Sequence, residues 1–499
     1  MNLLYDTLTA AGAAEAVFLE RPDGRVIRYG ELDGLTARWA NALAACGVAP
    51  GDRVAVQVEK SPENLILYLA CVRAGAVFLP LNTAYTLAEL GYFLGDAEPA
   101  LVVCDPAAAE GVRSLGARTQ TLDAAGGGSL ADLADAASDR FETVARQAED
   151  LAAICYTSGT TGRSKGAMLT HGNLTSNART LAALWRFTPD DVLIHALPIY
   201  HVHGLFVATN VVMTAGAAMI FRARFDAAEV LGLMGRATCL MGVPTFYTRL
   251  LDQPELTPEA TAGMRLFISG SAPLLAETHR AFEARTGQVI LERYGMTETG
   301  MNTSNPHDGA RVAGTVGPPL PDVSLRIADP ETGAALAPGE IGMIEVKGPN
   351  VFAGYWRMPE KTAAEFRSDG YFITGDLGKI DEAGYVHIVG RGKDLIISGG
   401  LNVYPKEVEG EIDALDGVVE SAVIGLPHPD LGEGVTAVIA TGGKPGLTEA
   451  GVLAALAERL ARFKQPKRVL FVDDLPRNAM GKVQKALLRE THAGLYGDA

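Results

Sequence analysis

The sequence predicts an α/β fold, with a large N-terminal domain of stacked α/β subdomains plus a β subdomain, followed by a small α+β C-terminal domain. Three observations carry this prediction. Short apolar runs alternate with helix-like stretches as far as about residue 291, which is typical of a parallel sheet covered by helices. After about residue 315 apolar and polar residues alternate, and glycine and proline become dense. A glycine-flanked segment, Gly390–Asp394, then leads into a final stretch with its own strands and helices.

The individual elements of the N-terminal part follow from apolar periodicity and from turn residues. Pro22-Asp23-Gly24 predicts a hairpin between strands at 17–19 and 25–29. Helices are expected at 32–46 and 63–74, each followed by a glycine. Buried strands are expected at 53–58, 77–81, 151–155, 192–197, 217–221, 239–243, 266–268 and 289–291. Residues 105–149 are expected to form surface helices and loops.

The C-terminal part has a different pattern. The alternating segments 324–327 and 342–347 predict antiparallel strands of the β subdomain. Further elements are expected beyond residue 392, namely strands at 418–424, 434–439 and 469–472 and helices at 407–412 and 449–462. The sequence therefore predicts two domains, 1–392 and 393–499.

Composition argues against several classes of protein. The 499 residues are 48% hydrophobic and 20% charged, which is ordinary for a globular chain. A net charge of −16 argues against a nucleic-acid-binding surface. No apolar run reaches the length of a membrane span, and the first residues lack the features of a signal peptide. Five scattered cysteines without a Cys-x-x-Cys pair are typical of a reduced, cytoplasmic protein. We expect no nucleic-acid and no membrane partner.

The most informative stretch is the loop after the predicted strand 151–155. Its glycines let backbone N–H groups converge on an anion, its hydroxyls add donors, and its lysine adds positive charge. We therefore predict a polyphosphate-binding loop made by Thr157, Ser158, Gly159, Thr160, Thr161, Gly162 and Lys165. Glycine follows Lys165, which distinguishes the loop from the usual P-loop. Asn173 is expected to cap the next helix. The alternative is a flexible linker, which rarely follows a buried strand so closely.

Two further loops follow predicted strands of the same region. Tyr294-Gly295-Met296-Thr297-Glu298 places a carboxylate near a sheet rim. Mg²⁺ prefers one or two carboxylates plus substrate phosphates, so Glu298 is a predicted metal ligand and Thr297 a phosphate donor. Tyr294 offers a ring for adenine, with a core tyrosine as the alternative. The loop after strand 266–268 contributes Gly270, Ser271 and Ala272 to the predicted nucleotide site.

Two more candidates lie towards the C-terminus. Asp376 follows a short apolar run and could accept both ribose hydroxyls, and Arg391 could add a donor to the same sugar. Lys482 lies in a glycine-containing loop, and taken alone it would be a solvated lysine.

In order and spacing, these segments resemble the adenylate-forming superfamily of acyl-CoA synthetases, luciferase-like enzymes and peptide-synthetase adenylation domains, over nearly the whole chain. The resemblance implies that a carboxylate attacks the α-phosphorus of ATP with Mg²⁺ present, giving an acyl-AMP and pyrophosphate. The thiol of coenzyme A then displaces AMP. Lys482 would be the adenylation lysine, and Lys393 the hinge of a mobile C-terminal domain. By the same resemblance Ser398, Gly399 and Gly400 would line the CoA tunnel, and His201 the mouth of the acyl pocket.

The acid substrate is predicted from a cation on a helix that the resemblance places beside the acyl pocket. Pro244 suits a first helical turn, so Arg249 lies about a turn and a half further on. Arg249 with the hydroxyl of Ser271 could hold a second carboxylate, while a surface arginine is the alternative. The stretches around these residues and Met301 resemble malonyl-CoA synthetases, which implies malonate, with methylmalonate tolerated.

Three alternatives stay open at this point. The chain could be a medium-chain or aryl acyl-CoA synthetase, a carrier-loading adenylation module or a non-catalytic nucleotide-binding protein. No carrier protein is expected, because no carrier-domain sequence follows in this chain. The expected partners are therefore small molecules: the acid, ATP and coenzyme A.

Overall fold

The computed structural model describes residues 1–157, 164–399, 401–443, 446–457, 459–478 and 481–497. Its strands are β1 (Val17–Glu20), β2 (Val26–Arg28), β3 (Arg53–Gln57), β4 (Val77–Pro80), β5 (Leu101–Cys104), β6 (Thr119–Thr121), β7 (Leu151–Thr157), β8 (Lys165–Thr170), β9 (Val192–His195), β10 (Ala218–Phe221), β11 (Cys239–Gly242), β12 (Leu266–Ser269), β13 (Leu291–Met296), β14 (Gly300–Ser304), β15 (Ser324–Ala328), β16 (Gly342–Lys347), β17 (Phe372–Ile380), β18 (Val386–Arg391), β19 (Ile396–Ser398), β20 (Leu401–Val403), β21 (Glu420–His428), β22 (Gly432–Ala440) and β23 (Arg468–Val472). Its α-helices are α1 (Leu3–Thr9), α2 (Leu32–Ala45), α3 (Pro62–Arg73), α4 (Leu87–Ala97), α5 (Ala109–Ser114), α6 (Ser129–Asp135), α7 (His171–Leu184), α8 (Asn210–Ala215), α9 (Ala227–Leu233), α10 (Pro244–Leu251), α11 (Ala276–Thr286), α12 (Pro359–Ala364), α13 (Pro405–Asp413), α14 (Glu449–Ala457) and α15 (Lys485–Thr491). A π-helix spans His203–Thr209.

The chain folds into two compact units. The first comprises Met1–Ser324 and Val346–Phe372, and the second comprises Leu325–Glu345 and Ile373–Ala499. This mixed α/β architecture, with a large first unit and a smaller second one, confirms the predicted fold class. The predicted boundary at residues 392 and 393 depends on where a hinge lies, and it stays a prediction.

A six-stranded sheet in the first unit contains the two strands on either side of the predicted phosphate-binding loop. Its strand order is β6-β5-β3-β4-β7-β8, parallel except for the antiparallel pair β7 and β8. Thr157 ends β7 and lies opposite Lys165, which begins β8, so the predicted loop connects two paired strands. Neither β8 nor β6 was predicted from the sequence. Strand β6 lies within residues 105–149, and it has no apolar run because its three residues are Thr119, Gln120 and Thr121.

An eight-stranded sheet forms the rest of the first unit. Its strand order is β14-β13-β12-β11-β9-β10-β1-β2, with parallel pairs from β1 through to β13 and antiparallel hairpins at both ends. Strand β13 runs on to Met296, beyond the predicted strand 289–291. The extension is hidden in the sequence because two charged residues, Glu292 and Arg293, interrupt the apolar pattern. Both are nevertheless buried, and both belong to the region of the candidate site.

Helix starts follow the capping chemistry of the sequence, with one correction. The cap of α7 is Thr170, whose hydroxyl accepts from the N–H of Asn173, while the Asn173 side chain accepts from the N–H of Thr170. Asn173 is therefore the third helical residue of a capping box and not the cap itself. Pro244 begins α10 as predicted. Helix α14 ends at Ala457, well short of the predicted 449–462.

The second unit contains a four-stranded sheet, β15-β16-β17-β18, and a five-stranded sheet around β22. In the latter, β21 pairs antiparallel and β23 pairs parallel with β22. Its two faces carry separate apolar clusters. One cluster includes Val408 of α13 and Leu456 of α14. The other includes Leu488 of α15 and also Leu475, which precedes that helix. Helix α15 therefore packs on the face opposite α13 and α14.

Candidate functional site

Glu298 lies in the turn of the β13–β14 hairpin and is only 5% exposed. Its carboxylate is approached by two hydroxyl groups of the first unit. The Thr157 hydroxyl donates to Glu298 Oε1 at 3.4 Å, and the Tyr355 hydroxyl lies 3.1 Å from the same oxygen. The structure therefore brings the end of the phosphate-binding loop and the predicted metal ligand together. A buried carboxylate with hydroxyl neighbours fits Mg²⁺, which takes few protein ligands and several phosphate oxygens.

Tyr355 also joins Glu298 to a second carboxylate, Glu365. The Tyr355 hydroxyl lies 2.6 Å from Glu365 Oε2, while Lys165 Nζ donates to Glu365 Oε1 at 3.0 Å. The Lys165 ammonium also lies 4.1 Å from the centre of the Tyr355 ring. Burial and the two nearby carboxylates raise the pKa of Tyr355, so the phenol stays protonated and acts as a donor.

Burial opposes ionisation of Glu365, but hydrogen bonds from Lys361, Tyr355 and Lys165 lower its pKa below the usual value. Glu365 is therefore an anion in contact with the predicted phosphate-binding lysine. Neither Tyr355 nor Glu365 was predicted from the sequence. Glu365 follows Lys165 by 200 positions, and no local pattern indicates their contact.

Arg293 is a third residue that was not predicted from the sequence. It lies on β13 and is only 3% exposed. In the part of the chain that the structure describes, no hydrogen-bond partner reaches its Nε or its Nη2. Burial is the main cause that lowers its pKa from 12.5 to about 9, so the group is a cation at neutral pH. A buried cation with unmatched donors is costly unless a ligand completes it.

The neighbouring loop leaves space for this guanidinium. Ser269 pairs with Glu292 across β12 and β13, so Gly270 comes level with Arg293. A Cβ atom at position 270 would lie 2.3 Å from Arg293 Cζ, so any side chain there would displace the guanidinium from its present position. Ser271 then adopts φ of 71°, a left-handed conformation that a non-glycine residue adopts at an energetic cost. Such strain is often found at ligand sites.

Ser271 in turn contacts the histidine segment. His203 Nδ1 and Ser271 Oγ share a hydrogen bond of 3.1 Å, and the backbone N–H of His203 donates to His201 Nδ1 at 3.3 Å. Burial, followed by the charge of Arg293, lowers the pKa of His203 well below its usual value. His203 is therefore neutral. These contacts bring His201, Ser271 and Arg293 into one region, together with Met301, which is buried on β14 next to β13.

Arg249 needs a correction. On α10 the buried residues are Phe246, Tyr247 and Leu250, and Arg249 is exposed on the opposite side of the helix. The helical period alone gives the reason, because positions 246, 247 and 250 form one stripe and position 249 lies outside it. The structure therefore gives no buried contact for Arg249, and its role towards the acid stays a prediction. Among the described residues, Arg293 has a buried guanidinium with two unmatched donor nitrogens.

The other predicted nucleotide residues divide between the two units. In the first unit Tyr294 and Thr297 are half-buried at the end of β13 and in the following turn, while Ser158, Gly159, Thr160, Thr161 and Gly162 lie outside the described residues, and Ala272 is half-buried beside Ser271. In the second unit Asp376 and Arg391 face each other across β17 and β18, with Arg391 Nε 2.7 Å from Asp376 Oδ1. The structure brings this pair together as expected, and its role towards ribose stays a prediction.

The remaining predicted residues also lie in the second unit. Lys393 is within a short 3₁₀ turn, and burial lowers its pKa. Ser398 ends β19 and Gly399 begins the turn into β20, while Gly400 lies outside the described residues. Lys482 is exposed, and its backbone is fixed on both sides by Asn478. The hinge, tunnel and adenylation roles of these residues stay predictions.

The first unit thus carries a buried carboxylate, Glu298, that could hold a metal ion, and two cations, Lys165 and Arg293, that suit anionic ligands. The family model for the AMP-binding enzyme matches residues 7–356, and the model for the AMP-binding enzyme C-terminal domain matches residues 407–482. The chain belongs to the AMP-binding enzyme family.

Three known proteins illustrate how far the similarity extends. The crystal structure of ATP-bound MatB from Rhodopseudomonas palustris is 64% identical, with a TM-score of 0.98 and coverage of 99% of both chains. The malonate–CoA ligase of Arabidopsis thaliana is 35% identical over 94% of this chain and 85% of that protein. The feruloyl-CoA synthase of an Amycolatopsis species is 38% identical over 94% of both chains. These relatives include enzymes for both a dicarboxylic and an aryl acid, so the choice of acid depends on the site.

Proposed function

We propose that this protein ligates malonate to coenzyme A at the expense of ATP, through a malonyl-AMP intermediate, with release of pyrophosphate and AMP. One observation carries the choice of acid: the buried guanidinium of Arg293, whose Nε and Nη2 have no partner among the described residues. A carboxylate is the group that this donor pair matches, because the guanidinium fork binds carboxylate oxygens in a bidentate manner. Similarity to ATP-bound MatB and to a malonate–CoA ligase supports the same assignment.

The reaction balances in two steps. One malonate carboxylate oxygen attacks the α-phosphorus of ATP, the bond to the bridging oxygen breaks, and pyrophosphate leaves. The thiolate of coenzyme A then attacks the acyl carbon, and AMP leaves. The second malonate carboxylate takes no part in bond changes, and we assign it to Arg293 and the hydroxyl of Ser271.

The chain's own residues supply position and charge. Lys165 approaches the polyphosphate and leaves Glu365, its present partner, when it does so. Glu298, with Thr157 beside it, would hold Mg²⁺, and that ion would neutralise charge on the phosphate oxygens. We assign Asp376 and Arg391 to the ribose, and Lys482 to the transition state of the first step. Transfer of this kind is driven by orientation and electrostatic stabilisation.

An aryl or medium-chain acid fits the site less well. Its apolar tail would desolvate Arg293 without offering an acceptor, and an unpaired buried charge is expensive. Methylmalonate keeps the second carboxylate, so we propose that it is also accepted. Neither a carrier protein nor a nucleic acid is needed for this reaction, and among the described helices none is long and apolar enough to cross a membrane. We place the reaction in the cytoplasm, supported by five buried free cysteines.

The test is a thioester assay with free coenzyme A and purified protein. Acetate, malonate, methylmalonate, succinate, octanoate and ferulate are compared by acid-dependent pyrophosphate release and by thioester formation. We expect malonate to give the highest kcat/KM, with methylmalonate next. Ferulate or octanoate as the preferred acid would contradict the proposal. Pyrophosphate release without a CoA thioester would instead indicate a carrier-loading module.

A further inference from the structure

The segment that carries Lys482 is folded back on itself in the second unit. Arg477 and Val483 form an antiparallel bridge, and the N–H of Gln484 donates to the carbonyl of Pro476 at 2.8 Å. The N–H of Lys482 donates to Asn478 Oδ1 at 3.0 Å, and its carbonyl accepts from the N–H of Asn478 at 2.9 Å. The backbone of Lys482 is therefore held locally, on a narrow loop.

Arg477 connects the part of this segment before Lys482 to the sheet. Its Nη1 donates to the carbonyl of Gly481 at 2.7 Å, and its Nη2 contacts the carboxylate of Glu420, the first residue of β21. One guanidinium thus holds the residue next to Lys482 and a strand of the sheet at the same time. A lysine at position 477 would present a single point charge and lacks this fork geometry.

Lys485 connects the part of the segment after Lys482 to α13. It begins α15, three residues after Lys482, and its Nζ lies 2.5 Å from Glu409 Oε1 on α13. Glu409 is only 4% exposed and also accepts from the N–H of Val423 at 2.9 Å. Lys406 Nζ also lies 3.6 Å from Glu409 Oε2, so Glu409 is the buried anion to which this lysine is tied. The parts of the segment before and after Lys482 are therefore anchored to neighbouring parts of the unit, β21 and α13.

We propose that Arg477 and Lys485 are positioning residues that set where the Lys482 amine can reach, through their contacts with Glu420 and Glu409. The proposal rests on the adenylation role assigned to Lys482 above. The side chain of Lys482 is exposed, and the anchoring of its backbone sets the region that its amine can reach. Displacement of a reacting group by about 1 Å can cost about a hundredfold in rate. Loosening either contact should therefore slow the step that uses Lys482 and spare the step that does not.

The test separates the two half-reactions in the full-length enzyme. Acid-dependent pyrophosphate release measures adenylation, and thioester formation from supplied malonyl-AMP and coenzyme A measures the second step. For Arg477→Gln and Lys485→Met we expect adenylation kcat to fall about ten- to a hundredfold at nearly unchanged KM for malonate, and thioester formation to stay within about twofold. Arg477→Lys should recover part of the loss, since it keeps the charge opposite Glu420 but not the fork to Gly481.

Two controls separate positioning from stability. Arg468→Gln breaks an ion pair with Glu449 in the same unit, away from the Lys482 segment, and should leave both steps unchanged. Glu420→Gln removes the charge opposite Arg477 with little change of volume. If Arg477→Gln does not fold, this variant replaces it in the same two assays, with the same expected result. Equal loss in both half-reactions, or no loss in adenylation from a folded variant, would overturn the proposal.

If the malonate assignment is wrong, the wild-type enzyme itself releases pyrophosphate with another acid and not with malonate, which none of the outcomes for the variants resembles. The same partition is then measured with that acid and its adenylate.

Discussion

Replacing Arg293 by methionine should make the protein more stable and a poorer malonate enzyme. The folded-state pKa of about 9 against the usual 12.5 corresponds to a penalty on the order of 5 kcal/mol on the buried cation. Because the folded-state value is the lower one, this penalty is fully present below pH of about 9 and is relieved as the pH rises through that value. Methionine fills the space without a charge. After allowance for imperfect packing we expect a gain of about 1–3 kcal/mol in the free energy of unfolding.

The same substitution removes the partner that we assign to the second carboxylate. Loss of one member of a buried charge pair costs about 2–5 kcal/mol, which is about thirtyfold to several thousandfold in kcat/KM for malonate. Butyrate carries no second carboxylate, so its kcat/KM should stay constant or rise. The matched control is Arg249→Met, an exposed arginine whose loss should change neither stability nor malonate kcat/KM appreciably.

Thermal unfolding and the two kcat/KM values are measured for the wild type and both variants. If Arg293→Met lowers stability and depresses malonate and butyrate alike, Arg293 is a structural residue and the reasoning is refuted. If Arg249→Met affects malonate more than Arg293→Met does, the original assignment to Arg249 was the right one.

The remaining predictions concern the other parts of the site. Lys482→Ala should lower adenylation by about a hundredfold or more while supplied malonyl-AMP still reacts with coenzyme A; equal loss in both steps would contradict its role. Lys393→Pro, which fixes φ and removes a donor, should slow thioester formation more than adenylation, and unchanged rates would place the hinge elsewhere. Tyr355→Phe should raise the Mg²⁺ and ATP concentrations needed for half-maximal rate about three- to thirtyfold, since two carboxylates lose one donor, and a malonate-only effect would argue against this. Burial raises the pKa of Asp413 to about 6, so its contribution to stability is present below the unfolded pKa near 4 and is lost as the pH rises through 6. Asp413→Asn should therefore raise the free energy of unfolding by about 2 kcal/mol at pH 8 but not at pH 4. If hydrogen exchange of α13 shows the same difference between variant and wild type at both pH values, the prediction is contradicted.

How much of the structure the sequence predicts depends on the range of the interaction. The apolar runs at 53–58, 192–197 and 239–243 correspond to β3, β9 and β11 within a few residues. Gly47 predicted the C-terminal end of α2 to within a few residues, and Pro244 predicted the start of α10. These signals are local, because a buried strand or a helix end imposes its pattern on adjacent residues. Two of the strands that were not predicted, β6 and β8, lack such an apolar pattern or lie directly after the glycine-rich loop.

The site shows the same division. Glu298 and Thr157 were predicted because each follows a strand end, and the structure brings them within hydrogen-bond distance. Arg249 was predicted because it is a cation on a helix that the resemblance places beside the acyl pocket, but its exposure follows from the helical period of α10. The signal that could have found Arg293 is the pair of charges directly after the apolar run at 289–291. Burial of two charged residues at the end of a strand costs free energy, and a bound ligand is one way in which that cost is offset.

Two cations of the first unit, Lys165 and Arg293, differ in a way that bears on the proposed selectivity. Lys165 has a carboxylate partner, Glu365, in the protein itself, whereas for Nε and Nη2 of Arg293 the described chain offers none. Binding of a polyphosphate therefore exchanges one anionic partner of Lys165 for another, and the gain in free energy is the difference between the two. Binding of a dicarboxylate adds a partner where the described residues provide none, so part of the penalty on the buried guanidinium is relieved after the carboxylate has itself lost its water. A monocarboxylate leaves that penalty in place. We therefore expect discrimination between acids to arise from a cost that the folded protein already carries and that only a dicarboxylate reduces.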